Sequence, residues 1–485
     1  MSRAVFETDW LSTDPVYYNE ATGAVSDNVN DVIDFANLEF DPEGFNGFLD
    51  HGFSAFGLTP VAHVKYLLPS SRLIVMDDGR LTVESTDDDN RLADRVEDRK
   101  SESDVLEMLR ALLQRWESAV EGDIIIPTSG GYDSRLLNLM IGDKSRVRSF
   151  TFGVTERQWD SIEVTRARLL SERLGTRWEQ VPIGHFHRYL DEWDRIFGVC
   201  MHTHGMYQLE FWLQVLARVG SARPVLSGWD IDRFSGKDPE ADREVRRPSD
   251  VEILILGAYG VNRLSRADSS WSRLPQRHDA REAYFEEKRD VLASRPMRSI
   301  EATRFLGAWL HYLKRLPTYL GLPTYCPGHD IEFATAMLAL PLDRRRERRW
   351  VKEFFARQGL SLAEAGGNRR YWMNYHALRR VPLRALDEAL LSEVVRPEYV
   401  RWANRNVSWR GLWSEGLEYM QAVHGLRRAT QVVRNRGLAR RRIQAYYAYL
   451  TLWPIESLLR RRNEARAGRP PTDGLAPSQQ APQSA

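Results

Sequence analysis

The chain is expected to fold as an α/β protein, with a twisted parallel sheet covered by helices on both faces. Three observations predict this. Ile124-Ile125-Ile126 is a short run of β-branched residues with no polar position, as a strand buried on both faces requires. Strand-like and helix-like patterns alternate from about residue 103 to 226. A glycine-rich turn directly follows the triple isoleucine and opens a helical pattern.

Residues 1 to 95 read as a small β-rich region in which short apolar runs alternate with turn residues. Asp77-Asp78-Gly79 predicts a hairpin turn there. Residues 86–103 are charged and lack an apolar period, so a linker running into a helix is expected. From Ser103 to Val120 the residues Val105, Leu106, Met108, Leu109, Leu112, Leu113 and Trp116 recur at helical spacing, and Gly122 ends that helix. The strand Ile124–Ile126 comes next, then a helix from Ser134 to about Met140. A strand over 148–154, a helix over about 161–174 and a strand over 178–181 follow. After residue 205 helical patterns dominate, with one more apolar strand at 224–226. The expected division is a β-rich unit over 1–95, a nucleotide-binding unit over 103–360, a helical extension over 361–466 and a disordered tail over 467–485. The tail is rich in Pro, Gln, Ser and Ala.

Composition excludes several classes. A chain of 485 residues implies two or three domains. The net charge of +1 gives no global field toward nucleic acid or acidic lipid. Cys200 and Cys326 are the sole cysteines, too few for a disulfide framework or a cysteine-based zinc cluster. The first residues carry no apolar signal stretch, and no run is long enough to span a membrane. A cytoplasmic protein is the expectation.

The strongest chemical signal is Ser129-Gly130-Gly131-Tyr132-Asp133-Ser134. Two adjacent glycines let backbone N–H groups close around a phosphate. The following helix points its positive end at the same spot. Ser129 and Ser134 add hydroxyl donors. Asp133 repels a phosphate directly, so it makes chemical sense as a ligand of Mg²⁺ bridging phosphate oxygens. No Gly-Lys-Ser/Thr follows, so this is not a Walker loop. The bland alternative is a glycine-rich turn capped by Asp133 or Ser134.

SGGYDS resembles the SGGxDS loop of the N-type ATP pyrophosphatases, the PP-loop proteins of adenine nucleotide alpha hydrolase-like fold. Further segments resemble the asparagine-synthetase branch. Thr151-Phe152-Gly153-Val154 is similar to the strand end whose backbone contacts adenine, which implies that role for Phe152. Ser227-Gly228-Trp229-Asp230-Ile231-Asp232-Arg233-Phe234 resembles that branch's SGEGADELF loop. Ser227 and Gly228 would then hold the adenosine side, and Asp232 would share Mg²⁺ with Asp133. Trp229 and Arg233 depart from the pattern, where the family has acids. Residues 322–341 and Lys352 are loosely similar to its downstream helix and catalytic lysine. Residues 50–84 faintly resemble the later half of its glutaminase domain, but Ser2 stands where a nucleophilic cysteine is needed.

The resemblance implies an ATP- and Mg²⁺-dependent ligase that adenylates a small-molecule or peptide carboxylate. The acyl group would pass to ammonia or an amine without glutamine hydrolysis. Asp133, Asp232 and Lys352 would be catalytic. Ser129, Gly130, Gly131, Tyr132, Ser134, Phe152, Ser227 and Gly228 would bind ATP. A homodimer fits this class. The alternatives are a non-catalytic nucleotide-binding scaffold and a sulfurtransferase acting on tRNA. The paired histidines His185/His187 and His202/His204 match no zinc spacing. Residues 427–466 hold eleven Arg against two Glu, with interleaved Tyr446, Tyr447, Tyr449 and Trp453. A helix packed on the core with a charged outer face is expected there, rather than a nucleic-acid surface.

Overall fold

The computed structural model describes residues 2–86, 89–201, 203–236, 269–369, 373–407 and 438–468. Eleven strands occur among them. Those of the N-terminal region are β1 (Ser2–Glu7), β2 (Tyr17–Asn19), β3 (Val25–Ser26), β4 (Val64–Tyr66), β5 (Ser71–Met76) and β6 (Leu81–Ser85). They form two antiparallel sheets of three strands, ordered β1-β5-β6 and β3-β2-β4. The β5–β6 hairpin turns at Gly79, whose φ of +82° suits glycine, and Gly79 N–H donates to Met76 O at 2.9 Å.

The charged stretch after β6 differs from the expected linker. It contains a helix, Asp89–Glu97. Leu92 and Val96, one turn apart, are buried, and Asp89 is ion-paired with Arg304 and Lys288. Two apolar residues and one buried acid suffice where the contact surface is a narrow seam. The helix Glu102–Ala119 follows. Ser101 caps it by accepting from Asp104 N–H while the Asp104 carboxylate accepts from Ser101 N–H.

The central sheet holds β7 (Ile124–Pro127), β8 (Val147–Thr151), β9 (Arg177–Gln180), β10 (Val225–Leu226) and β11 (Thr324–Tyr325). All its pairings are parallel, and the order is β11-β10-β7-β8-β9. Alternate side chains feed two cores. Ile125, Phe150 and Val225 join one buried cluster with the helix Met206–Val219 and the C-terminal helix Leu438–Arg466. Ile124, Ile126, Val147 and Leu226 join the other, with Leu109, Leu137 and Phe333 from the helices Glu102–Ala119, Tyr132–Met140 and Ile331–Leu338. This is the period-2 alternation of a sheet buried on both faces. Residues of the N-terminal region, among them Tyr17, Val29, Phe45 and Phe48, lie in the first of these clusters.

The order reverses between β7 and β10. The chain goes outward from β7 through β8 and β9, then returns to β10 on the other side of β7. In an open α/β sheet that reversal leaves a crevice beyond the carboxyl ends of the two strands, where ligands bind.

The C-terminal helix is buried almost continuously over 444–459. His187 bridges it to the core, with Nδ1 at 2.9 Å from Val381 O and Nε2 at 2.9 Å from Tyr446 OH. His204 lies 3.4 Å from Tyr447 OH. These histidines serve packing; His202 lies outside the described residues, as do 427–437 of the arginine-rich stretch and the tail beyond 468. Among the described residues no helix is long and apolar enough to cross a membrane.

Candidate functional site

The Ser129–Ser134 loop leaves the end of β7, on one lip of the crevice. Its base is locked by buried hydroxyls. Thr128 Oγ1 accepts from Asn138 Nδ2 at 3.0 Å, Asn138 Oδ1 accepts from Ser149 Oγ at 3.0 Å, and Thr151 Oγ1 donates to Thr128 O. Satisfied polar networks of this kind rigidify what they hold. Arg135, almost fully buried, pins the loop from behind. Its guanidinium donates to Gly130 O at 2.8 Å and to Leu360 O at 2.7 Å. Burial, more than its neighbours Arg166 and Arg348, lowers the Arg135 pKa to about 10, so it remains charged at neutrality.

Gly130 has φ +64°, and a Cβ there would sit 2.4 Å from Arg166 Cβ. The glycine is needed for strand-to-helix packing as well as for any ligand. Gly130→Ala is expected to cost about 2 kcal/mol through strain and the clash, read as a lowered midpoint in thermal denaturation with circular dichroism. Gly131 is the N-cap of the helix Tyr132–Met140 and supplies no side chain to its first N–H groups. Those donors receive no side-chain cap from it, the arrangement that suits an anion. Ser129 Oγ accepts from Gly131 N–H at 3.3 Å, and Ser134 is buried with Oγ 3.5 Å from Gly131 O.

The other lip comes from β10. A Cβ on Gly228 would lie 3.0 Å from Asp133 Cβ, so the two predicted loops touch. Ser227 is buried and its N–H donates to Tyr325 O at 2.9 Å. Asp232 sits half-buried on the helix Ile231–Phe234 beyond it. Trp229 is buried against His329, with ring centroids 4.6 Å apart. Asp230 has φ +64° and a buried carboxylate, which lies 3.2 Å from Arg233 Nε and 3.2 Å from His329 Nε2. The departures from the family pattern thus form one packed unit. Arg233 answers the charge of Asp230, and Trp229 covers the histidine.

One central residue escaped the sequence reading. The Asp133 carboxylate is ion-paired with Arg348, whose guanidinium also lies over the Tyr132 ring at 5.1 Å. Arg348 is buried at 8% side-chain exposure and has φ +57°; Glu347 before it has φ +51°. Two consecutive non-glycine residues in the left-handed region mark a strained segment held at the crevice. Lys352 lies on the exposed side of the helix Arg349–Arg357, with Nζ 3.5 Å from Glu347. Among the arginines of 344–349 nothing in the sequence distinguishes Arg348; only the fold selects it.

Arg166 adds a further cation. Its backbone abuts Gly130, and its buried Nε has no hydrogen-bond partner among the described residues. Phe152, at the end of β8, is half-buried and packs edge-on against Tyr207 and Phe211 at 5.7 and 5.3 Å. Its ring is held by the core, which leaves its backbone at the strand end. Both cysteines are buried, and burial pushes each thiol up to about 12.

The residues present fit an anionic, phosphate-bearing ligand: uncapped N–H groups, two glycines and three arginines surround the loop. For a divalent cation the fit is conditional. Among the described residues no group of three or more His, Cys, Asp or Glu side chains converges. The Asp133 carboxylate is engaged by Arg348. No protein-family model and no curated protein matches the chain.

Proposed function

We infer that the crevice between β7 and β10 binds ATP, and that the protein is a PP-loop ligase of asparagine-synthetase type. The observation that carries this reading is the juxtaposition of the Ser129–Ser134 and Ser227–Asp232 loops at the reversal of strand order. The phosphates would rest on the N–H groups of residues 131–134, beside Ser129 and Ser134. Adenine would lie toward the β8 end at Phe152, and the ribose toward Ser227 and Gly228. Arg166 and Arg348 would meet phosphate oxygens. Once Arg348 turns to phosphate, Asp133 is freed, and with Asp232 it would hold Mg²⁺; bound there, the ion neutralises charge on the pyrophosphate.

The substrate carboxylate attacks the α-phosphorus, the α–β phosphoanhydride bond breaks, and pyrophosphate leaves. An amine or ammonia then attacks the acyl carbon and gives up a proton, the acyl C–O bond breaks, and AMP departs with the carboxylate oxygen that attacked phosphorus. The buried Asp230–Arg233–His329 unit stiffens the loop that carries Asp232. Both thiols stay protonated, which disfavours the sulfurtransferase alternative, since sulfur transfer needs a thiolate.

Pyrophosphate release tests the reading directly. The wild-type protein with Mg-ATP, carboxylates and amines should release pyrophosphate with at least one pair. Ser129→Ala should reduce the rate about 10²-fold by removing a donor to the transferring group. Absence of release with every pair, alongside protection of the fold by ATP, would favour a nucleotide-binding scaffold instead.

A further inference from the structure

A cavity of about 420 Å³ lies between the N-terminal sheets and the segment 284–311, away from the nucleotide crevice. Tyr17, Tyr66, Leu58 and Phe56 supply part of its wall. Its buried wall carries a closed set of charges. Arg304 pairs with Asp89 and Glu301, Lys288 pairs with Asp89, and Tyr284 OH donates to Glu301. Two acids meet two bases, so this cluster is balanced. Arg304 Nε is also used, donating to Trp10 O at 2.8 Å. Its Nη2 remains, buried and without a hydrogen-bond partner among the described residues. Arg304 as a whole is 7% exposed. A buried guanidinium donor at the edge of a cavity calls for an acceptor oxygen.

Two further acids have no basic partner. Glu20 and Glu287 also line the cavity, are exposed, and have no ion-pair partner among the described residues. Lys65 at the wall is 3.9 Å from Asp41 and is thereby partly answered. We propose that this cavity binds an elongated zwitterion, an ω-amino acid or short peptide, with its carboxylate on Arg304 and its ammonium between Glu20 and Glu287. The volume suits a ligand larger than glycine or alanine, and the aromatic wall suits a carbon chain. Cys200 also lines the cavity, but burial keeps its thiol protonated, so the site is built for binding rather than thiolate chemistry. This proposal is independent of the nucleotide reading, which stands or falls on pyrophosphate release.

Calorimetric titration of the full chain with ε-aminocaproate, lysine and glycylphenylalanine tests it. At least one should bind. Caproate and hexylamine, each lacking one charge, should bind about tenfold more weakly or worse. Val83, 48% exposed on β6, lines the solvent-exposed part of the cavity. Val83→Trp should leave the melting temperature unchanged and weaken binding about tenfold by filling that part. Arg304→Gln should remove binding; should that variant not fold, Val83→Trp decides. Binding of all three probes weaker than millimolar, equal affinity for the single-charge analogues, or unchanged affinity in Val83→Trp would overturn the proposal.

Discussion

Asp133→Ala is expected to lower stability by about 3 kcal/mol in urea denaturation, because it strands the buried Arg348 guanidinium without its counter-ion. The double variant Asp133→Ala/Arg348→Met should return most of that loss, since an apolar chain of similar length fills the same space over Tyr132. Both variants should lose pyrophosphate release, because each lacks the carboxylate. Stability and activity therefore separate: the second substitution repairs the fold and leaves the chemistry broken. A single variant as stable as the wild type would show that the pair is not the structural contact described. A double variant that regains activity would remove Asp133 from the reaction.

Acid should undock the C-terminal helix. An imidazole in the unfolded chain titrates near 6.5, whereas burial lowers the pKa of His187 and His204 to about 4. Between those values the unfolded chain binds more protons than the folded one. The stability held by neutral imidazoles is complete above about pH 6.5 and is lost as pH falls toward 4. For His187 alone the loss reaches about 3 kcal/mol by pH 4. The two sites face the same helix, and His187 is one cause of the His204 shift, so their contributions are coupled. Near-ultraviolet circular dichroism should change in this window, since Tyr446, Tyr447 and Trp453 lie on that helix. His204→Phe keeps a ring against Tyr207 and Tyr447 while removing one titrating group, and should move the transition to lower pH.

Much of the sheet was legible because its strands carry strong local signals. Ile124–Ile126 has no reading other than a buried element, and the helices around it repeat their apolar residues at regular spacing. β11 was not read as a strand. Thr324 and Tyr325 are a two-residue element defined only by pairing with β10, and pairing with residues so distant in the chain leaves no local trace. The helix Asp89–Glu97 was hidden for a different reason: its stability rests on Leu92, Val96 and the ion pairs of buried Asp89 with Arg304 and Lys288, which a charged composition masks. At the crevice the glycines, serines and aspartates were visible as a motif, because backbone geometry and anion chemistry demand those residue types in that order. Arg348 was not visible. Its role comes from a left-handed kink at Glu347–Arg348 that aims this arginine of the run at Asp133. Lys352, to which the resemblance gives a catalytic role, faces outward beside Glu347. Asp230, Arg233 and His329 likewise become a unit only when β10 and β11 lie side by side.

Hydrogen–deuterium exchange with and without Mg-ATP tests the central claim most directly. The account predicts slowed exchange at the amides of residues 131–134, with a second protected stretch at 227–232. ATP binding that leaves both stretches unprotected while slowing exchange elsewhere would contradict it.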